Sequence, residues 1–376
     1  INTSLAQEKV TLQLKWKHQF QFAGYYAALE KGYYEQKGLD VNIIEAREGQ
    51  TPSDQVLNGN AQFGIAMSDL IALRAKGVPV VALAVIYQHS PLVLLTPRNR
   101  NISNIHELQG KKVALESHSE ELIAYFEAEG VSSNKIILFP HDYNVSGLIT
   151  GKIDAMSAYS TDEPFILQKN GITYNMFSPR AGGIDFYGDT LFTTQEVIDT
   201  NPKLVKAFLE ASLKGWEYAL KNKDDIIDLI LSKYTSRHSR AHLEFEANAS
   251  EQLIMADVVE LGYINPGRWE YIASVFKSLN KIPSDFSIDG FIYDRTPAPD
   301  HTLFYIGCGV VTGVCLIVFL IALRFYRLNQ NLTTEIDRRK ALQKSLKKNE
   351  KQMSTLMSNL PGMAYQCRND DHYTML

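Results

Sequence analysis

The sequence predicts an α/β protein with two lobes, followed by one transmembrane helix and a cytoplasmic linker helix. Three observations support this fold class: a repeated strand–helix pattern from Val10 to Ser160, a series of helical patterns after Asp199, and an uncharged block at 303–323. The chain has 376 residues, which is more than one compact domain usually needs, so we expect two or three units. Its content of 45% hydrophobic and 21% charged residues excludes wholesale disorder.

Two rounds of alternating strands and helices form the first part of the chain. The first round predicts strands at 12–16, 39–46, 61–66 and 78–86, with helices at 22–32, 54–59 and 68–77. The second round predicts strands at 111–116, 136–140 and 153–160, with helices at 119–129 and 145–150. The strand at 78–86 is apolar throughout, which is typical of a strand buried on both faces. This rhythm predicts parallel sheets with helices packed on them.

Helices replace strands after Asp199. Pro202 marks the start of a helix, and Val205, Phe208 and Trp216 recur at helical spacing along one of its faces. Two α/β rounds followed by helices predict two lobes, with the late helices packing on the first lobe. Such lobes form a ligand clamp with a cleft between them.

The uncharged block at 303–323 predicts a membrane-spanning helix, for which a buried core helix is the alternative. Its 21 residues extend about 31 Å as a helix, which matches the thickness of a hydrocarbon core. The net charge of −4 is distributed unevenly, because residues 324–376 hold 10 basic and 5 acidic residues, whereas 1–302 hold 28 basic and 37 acidic residues. Positive charge stays on the cytoplasmic side of a span. Residues 1–302 are therefore expected outside the cytoplasm and 324–376 inside.

The N-terminal residues and the cysteines agree with this orientation. The tail at 1–8 begins with Ile1, and SLAQEKV is consistent with the end of a signal peptide cleaved after Ala6. The three cysteines are Cys308, Cys315 and Cys367, so residues 1–302 contain none. The outer unit therefore has no disulfide, no thiolate metal site and no cysteine nucleophile.

Three segments of the outer unit carry a family resemblance. They read LKWKHQFQFAGYYAALEKGYYEQKGLDV from Leu14, QVLNGNAQFGIAMSDLIALRAKGVPVVALAVIYQHSP from Gln55 and GLITGKIDAMSAYSTDEPF from Gly147. Through them, residues 9–280 resemble the periplasmic solute-binding superfamily, in particular its thiamine-pyrimidine (formylaminopyrimidine) binding and synthase-like branch. Within that branch, the sequence resembles versions that are fused to bacterial membrane sensors.

The resemblance implies a bilobal type II periplasmic-binding-protein fold. One lobe would comprise about 9–94 and 190–280, and the other about 97–186. The chain would cross between them near Leu92–Pro97 and Gly183–Asp189. Residues 281–302 would then form a juxtamembrane connector.

Ligand contacts in such a clamp are expected in the loops that follow the carboxyl ends of the strands. In the first lobe, these loops hold six candidates: Trp16, His18, Gln21, Ser68, Asp69 and His89. The resemblance implies that Trp16 stacks on a flat pyrimidine, and the alternative is a core aromatic. The polar residues after Trp16 either bind a heteroaromatic ring or are solvated. Helix capping explains one of Ser68 and Asp69, and a structural role is the alternative for His89.

The second lobe and the second crossing add six candidates: Ser117, Ser119, Tyr159, Glu163, Tyr187 and Asp189. Ser117 and Ser119 precede a helix N-terminus that can hold an anion, or they form an ordinary cap. Glu163 can accept two N–H donors from an aminopyrimidine. Tyr187 can form the second face of an aromatic sandwich with Trp16.

The sequence carries no recognised catalytic motif. GxSxG, HExxH, Walker A and GxGxxG are absent, and the histidines lack metal-ligand spacing, so we expect no metal, no cofactor and no nucleic-acid partner. The synthases included in the resemblance need a cofactor lysine, a donor histidine and a cysteine-rich run. Here GIAMSDLIAL at 64–73 has neither lysine nor histidine, and FYGDTLF at 186–192 stands where the cysteines would be. A binding role is therefore favoured over catalysis.

Residues 324–352 continue beyond the span as an amphipathic pattern, with apolar residues spaced mostly by four or seven. NEKQMSTLMSNLPGMAYQCRNDDHYTML at 349–376 resembles the opening of a PAS domain, so 353–376 would be its truncated start. We therefore predict the ligand-sensing region of a bacterial inner-membrane signalling receptor that binds a small molecule and acts as a homodimer. Its cytoplasmic output would be a histidine kinase, a diguanylate cyclase or a phosphodiesterase. The alternatives are a membrane-anchored transport binding protein, a pyrimidine-biosynthesis enzyme and a clamp for a partner protein.

Overall fold

The computed structural model describes residues 7–47, 49–295 and 301–359. The chain forms two compact units, Ile1–Arg295 and Thr296–Leu376. The first unit holds two β-sheets with their helices, and the second holds one long helix. Most of the N-terminal tail and most of the expected PAS segment lie outside the described residues.

The described residues contain ten strands and twelve α-helices. The strands are β1 Glu8–Gln13, β2 Leu39–Ile44, β3 Phe63–Ala66, β4 Val80–Val85, β5 Leu92–Pro97, β6 Lys112–Ala114, β7 Ile137–Phe139, β8 Ala155–Tyr159, β9 Tyr174–Phe177 and β10 Thr190–Thr194. The helices are α1 Ala23–Glu30, α2 Pro52–Leu57, α3 Leu70–Ala75, α4 Glu120–Ala128, α5 Ser146–Thr150, α6 Glu163–Lys169, α7 Gln195–Thr200, α8 Pro202–Lys221, α9 Lys223–Leu229, α10 Arg240–Ile254, α11 Pro266–Ser278 and α12 Thr302–Ser358.

Local sequence explains where two of these helices begin. The side chains of Thr51 and Asn201 accept hydrogen bonds from the backbone N–H groups of Asp54 and Leu204, at 3.1 and 3.2 Å. A proline follows each capping residue, at the position where its fixed φ suits a helix and its missing N–H costs nothing. The start that Pro202 predicts for α8 is therefore confirmed.

Each of the two sheets has five strands, in the orders β2-β1-β3-β10-β4 and β7-β6-β8-β5-β9. Four strands of each sheet run in the same direction. The fifth runs antiparallel to both of its neighbours, and it is β10 in the first sheet and β5 in the second. The prediction of a two-lobed α/β fold is confirmed. The prediction of purely parallel sheets is wrong, because each sheet includes one reversed strand.

Each reversed strand is the first strand that the chain forms after it crosses from one lobe to the other. After β4 the chain leaves the first sheet at the carboxyl end of its parallel strands, and β5 then enters the second sheet from the facing edge. A strand entering at that edge must run opposite to its parallel neighbours. Leu92–Pro97, expected at the first crossing, is therefore a wholly buried strand of the second sheet.

Aromatic side chains fill the core between the first sheet and its helices, where α1 packs on α8. Phe63 stacks on Phe208 with ring centroids 3.9 Å apart, and Trp216 is fully buried. Gly24 permits this approach, because a Cβ at that position would overlap the indole ring of Trp216. Burial of one such side chain contributes about 1.5–3 kcal/mol to stability. The helices after Asp199 thus complete the first lobe, as expected.

The second unit consists of α12, which contains 57 residues and is about 86 Å long at 1.5 Å per residue. By length and composition, this helix is able to cross a membrane. The apolar residues of 303–323 and the linker residues 324–352 belong to one continuous helix without a break. None of its described side chains is buried.

Candidate functional site

A cavity of about 480 Å³ lies where the carboxyl ends of the two sheets face each other. This volume suits a small molecule, since ligand pockets typically measure about 300–1,000 Å³. The first lobe lines it with residues that follow its strands: Lys15 and Trp16 after β1, residues 49–53 after β2, and Met67 and Asp69 after β3. The second lobe does the same: Glu116, Ser117 and His118 after β6, His141 and Tyr143 after β7, and Tyr159, Asp162 and Glu163 at the end of β8.

Several contacts join the two lobes across this cavity. The Lys15 ammonium donates to the Tyr159 hydroxyl at 3.1 Å, and the Tyr159 hydroxyl donates to the sulfur of Met67 at 2.8 Å. The rings of Trp16 and Tyr143 lie 5.1 Å apart at an angle of 44°. The lobes are therefore in contact around the cavity, in the arrangement of a closed clamp.

A buried ion pair supports the first-lobe wall. Lys15 Nζ lies 2.7 Å from Asp189 Oδ1, and the two side chains are only 10% and 2% exposed. The Gln21 amide donates to both oxygens of Asp189, at 3.0 and 2.9 Å. Burial raises the pKa of Asp189, and the Lys15 charge and these hydrogen bonds oppose that effect. This arrangement holds the Lys15 ammonium at the edge of the cavity.

Carboxyl groups dominate the second-lobe wall. Burial raises the pKa of Glu116 to about 7, although Lys15 and His118 act in the opposite direction. Burial and the neighbouring charge of Asp162 raise the pKa of Glu163 to about 8, while the backbone N–H of Tyr159 donates to Glu163 Oε2 at 2.8 Å. These carboxyls line the cavity, yet protein surrounds them closely enough to disfavour their charge.

Asp69 is the first lobe's contribution to the same group of acids. Its carboxylate lies 3.4 Å from the imidazole of His118 across the cavity, and its side chain is 25% exposed. Burial raises the pKa of Asp69, which the nearby His118 partly offsets. The cavity therefore presents four carboxyl groups, those of Asp69, Glu116, Asp162 and Glu163, around the Lys15 ammonium, which is already paired.

Five of the twelve sequence-predicted site residues line the cavity: Trp16, Asp69, Ser117, Tyr159 and Glu163. The other seven lie around it or away from it: His18, Gln21, Ser68, His89, Ser119, Tyr187 and Asp189. Gln21 and Asp189 act behind the wall through Lys15. His18 instead packs against Tyr234 and pairs its Nδ1 with the Tyr26 hydroxyl at 2.9 Å.

The expected aromatic sandwich between Trp16 and Tyr187 is wrong. Tyr187 is 1% exposed, and its ring lies 5.5 Å from that of Trp269 and 4.7 Å from the Arg268 guanidinium. The second crossing folds back into the core of the first lobe, which carries Tyr187 away from the cavity. The ring that accompanies Trp16 is Tyr143.

Three other candidates have structural roles. The Ser68 hydroxyl donates to the carbonyl of Tyr187 at 2.8 Å, and the Ser119 hydroxyl donates to that of Glu116 at 2.8 Å. Neither serine caps the helix after it through a side-chain hydrogen bond. His89 lies 2.7 Å from Asp185 across the two crossing segments, so it stabilises the hinge. The partners of these polar side chains come from loops and from the crossing segments, and the spacing of residues in the sequence does not reveal them.

The candidates predicted from sequence left out several residues of the cavity, among them Lys15, Glu116, His141 and Tyr143. Each obeys the same rule as the residues that were found, because each lies directly after a predicted strand or at its end. His141 and Tyr143 come after the strand predicted at 136–140, so applying the rule to that strand would have included them.

Two mixed five-stranded sheets with a cavity between their carboxyl ends define the class of two-lobed periplasmic binding proteins. The chain belongs to the NMT1/THI5-like family, whose model matches residues 19–226. Its fold is similar to that of the periplasmic aliphatic sulphonate binding protein SsuA from Escherichia coli, with a TM-score of 0.59 and 16% identity. That match covers 76% of this chain and 97% of the other.

Two relatives are similar in sequence. The riboflavin-binding protein RibY of Chloroflexus aurantiacus is 25% identical over 242 residues, which cover 61% of this chain and 68% of that protein. The formylaminopyrimidine-binding protein of Halalkalibacterium halodurans is 24% identical over 234 residues, which cover 60% of this chain and 71% of that protein. The relatives matched include binding proteins as well as 4-amino-5-hydroxymethyl-2-methylpyrimidine phosphate synthases.

Proposed function

We propose that this chain is the ligand-sensing region of a bacterial transmembrane signalling receptor, and that its ligand is a small planar heterocycle rich in N–H donors, such as a pyrimidine precursor of thiamine. The observation that carries the ligand class is the chemistry of the cavity. Trp16 and Tyr143 supply aromatic surface, while Asp69, Glu116 and Glu163 supply carboxyl acceptors. The name of the formylaminopyrimidine-binding relative points to the same chemistry.

The electrostatics of the cavity favour N–H donors over anions. A ligand amino group beside Glu116 or Glu163 stabilises the ionised carboxylate that burial disfavours. A sulphonate would instead bring negative charge towards four acidic side chains, and the Lys15 ammonium there is already bound to Asp189. We therefore expect the solute of this protein to differ in charge from the sulphonates named for its structural relative.

The signalling part of the proposal rests on α12. Residues 1–302 would lie in the periplasm, 303–323 would cross the inner membrane once, and 324–376 would lie in the cytoplasm, as the distribution of charge favours. The exposed apolar stripe of residues 324–352 suits a second copy of the same helix, hence a homodimer. Closure of the lobes would change the position of α12 and so reach a PAS-linked output.

A membrane-anchored transport binding protein is the second candidate, and the binding-protein relatives favour it. The two proposals differ in the role of the helix beyond the span. A transport component needs only an anchor, whereas here the helix continues as a long polar stretch with an apolar stripe. Ligand-dependent cross-linking of cysteines introduced between 324 and 352 would support signalling, and cross-linking that ignores ligand would support simple anchoring.

The ligand class is tested by melting the full chain in detergent micelles with candidate solutes. Formylaminopyrimidine, 4-amino-5-hydroxymethyl-2-methylpyrimidine, riboflavin and an alkanesulphonate are compared. We expect an aminopyrimidine at about one hundred times its Kd to raise the melting temperature by about 5 °C, since selective binding to the folded state stabilises it by about 2.7 kcal/mol. The sulphonate should have no effect.

Two variants control this screen. Trp16→Ala should abolish the shift because it removes the stacking surface, while Tyr263→Ala, which removes an exposed aromatic outside the cavity, should retain it. If no heterocycle shifts the melting temperature, or if only the sulphonate does, the proposed ligand class is wrong.

A further inference from the structure

Two histidines and an aspartate from different lobes meet beside the cavity. His238 precedes α10, His242 lies in its first turn, and Asp162 lies just after β8 in the second lobe. One ligand atom from each residue lies within 4.8 Å of the other two. Leu243 and Ala247 anchor α10 in the core of the first lobe, so this cluster spans the two lobes.

The hydrogen bonds of the cluster determine where its lone pairs lie. His242 Nε2 is 2.7 Å from Asp162 Oδ1, and His242 Nδ1 is 3.0 Å from His238 Nδ1. Because the carboxylate accepts the Nε2–H, His242 Nδ1 carries a lone pair that accepts from His238 Nδ1–H. The lone pair of the second imidazole is then on His238 Nε2, which is buried and has no hydrogen-bond partner. A buried imidazole nitrogen without a hydrogen-bond partner is available to bind a metal ion.

The surroundings carry an excess of buried acid. Asp162 is 9% exposed and Glu246 is fully buried, and the charge of Asp162 adds to the effect of burial in raising the pKa of Glu246 to about 8. Arg237 is the nearby cation: its guanidinium donates to the side chain of Gln19 at 2.6 Å, and its charge offsets part of the rise in the pKa of Glu246. A bound dication would reduce the repulsion among these carboxyls.

We infer that His238, His242 and Asp162 form a binding site for a divalent transition metal of the Zn²⁺ type that bridges the two lobes. Two imidazoles and one carboxylate are a ligand set that Zn²⁺ accepts, with the remaining position open to water. Bonds of about 2.0–2.2 Å bring tetrahedral ligands to roughly 3.3 Å from one another, so the three ligand atoms, which lie within 4.8 Å of one another, would move closer together on binding. No metal was expected from the sequence because its histidines were taken to lack metal-ligand spacing, yet His238 and His242 are four residues apart and the third ligand comes after a strand of the other lobe.

Asp162 is the one member of this trio that also lines the cavity. An ion held by α10 and Asp162 therefore fixes the second lobe against the first and takes over the hydrogen bond between His242 and Asp162. The metal stabilises the closed clamp, and it does so whether or not the solute proposed above is the ligand.

Calorimetric titration of ZnCl₂ into the full chain, purified in detergent and freed of metal with EDTA, tests the site. One Zn²⁺ should bind per chain. His238→Gln, His242→Gln and Asp162→Asn should each weaken binding about tenfold or more, whereas His106→Gln, which removes an exposed histidine, should leave it unchanged. Circular dichroism of each metal-free variant confirms that it is folded.

A measurement on the unaltered chain removes any dependence on variants. Bound Cu²⁺ should give an electron paramagnetic resonance spectrum with hyperfine coupling to two imidazole nitrogens. Absence of stoichiometric Zn²⁺ binding, a copper spectrum without nitrogen coupling, or full affinity in both histidine variants would overturn the site. Full affinity in Asp162→Asn alone would overturn its bridging role, because the ion would then be held by α10 without the second lobe.

Discussion

The first lobe presents to the cavity a paired cation, an aromatic ring and the carboxyl of Asp69, whereas the second lobe presents three acidic groups, of which burial keeps Glu116 and Glu163 close to neutral. Lys15 has its counter-charge in Asp189 within the first lobe. Burial raises the pKa values of Glu116 and Glu163, and for Glu116 the charges of Lys15 and His118 offset this only in part. The lysine of the first-lobe wall is paired and these second-lobe carboxyls are not, although both walls are built on the same arrangement of strand ends. A ligand that supplies N–H donors pairs with the second-lobe carboxyls, and it therefore binds the closed form more strongly.

The largest effect should be a loss of stability when the Lys15–Asp189 ion pair of the first-lobe wall is broken. Lys15→Met leaves Asp189 buried without its charge partner, so we expect the free energy of unfolding to fall by about 3–5 kcal/mol in denaturant titrations. Lys17→Met is the matched control, because Lys17 pairs with Glu45 where the side chains are 44% and 38% exposed, and it should cost less than about 1 kcal/mol. Adding Asp189→Asn to Lys15→Met should recover part of the loss. Equal costs for the two lysine variants would show that the first wall does not depend on its ion pair.

A smaller effect, on ligand affinity, should come from changing a carboxyl group of the second-lobe wall. Glu163→Gln keeps an oxygen for the backbone N–H of Tyr159 but removes the charge that a ligand N–H group meets. We expect the Kd for an aminopyrimidine to rise by about tenfold in calorimetric titrations, with little change in stability. Glu127→Gln, at an exposed position in α4, is the control and should bind normally. An unchanged Kd in Glu163→Gln would remove this carboxyl from the ligand contact.

The smallest effect should be the dependence of binding on pH. In the folded chain, the pKa values of Glu116 and Glu163 are about 7 and 8, against an ordinary value of 4.5. Between those pH values the folded chain holds protons that the unfolded chain has already released. The free energy of unfolding of the ligand-free chain therefore loses their contribution as the pH rises from about 4.5 towards 7 and 8. A ligand that donates N–H groups to Glu116 binds its ionised form, so its affinity should increase by up to about tenfold from pH ~6 to pH ~8.5, as the ionised fraction of a group with a pKa of about 7 does. Affinity that decreases over this range would mean that the ligand binds the protonated carboxyls.

The alternation of strands and helices allowed the two lobes to be predicted, because apolar periodicity reports burial directly. The reversed strands β5 and β10 were not predicted as such, because strand direction depends on the path between the lobes and leaves no local pattern. Trp16 and Glu163 were predicted because they lie in loops after strand ends, and parallel strands bring such loops to one edge of the sheet. The same rule would have identified Tyr143.

The residues that the sequence could not predict are those whose roles depend on distant partners. Lys15 falls within the strand predicted at 12–16, and nothing near it in the sequence indicates its partner Asp189. Tyr187 lies after a strand of the second lobe, yet the crossing carries it into the core beside Trp269. His242 has His238 four residues before it, but their third partner Asp162 comes from the other lobe. Each of these contacts depends on tertiary structure, and no spacing of residues in a single sequence indicates it.

Fluorescence titration of the full chain with an aminopyrimidine tests most directly whether the ligand binds between the two sheets. Trp216 and Trp269 are fully buried in the core, and Trp16 is the tryptophan that lines the cavity. We predict saturable quenching in the wild-type chain and its loss in Trp16→Phe, in which an aromatic surface remains and the ligand still raises the melting temperature. Equal quenching in Trp16→Phe would contradict this assignment, because the ligand would then bind elsewhere than in the cavity between the two sheets.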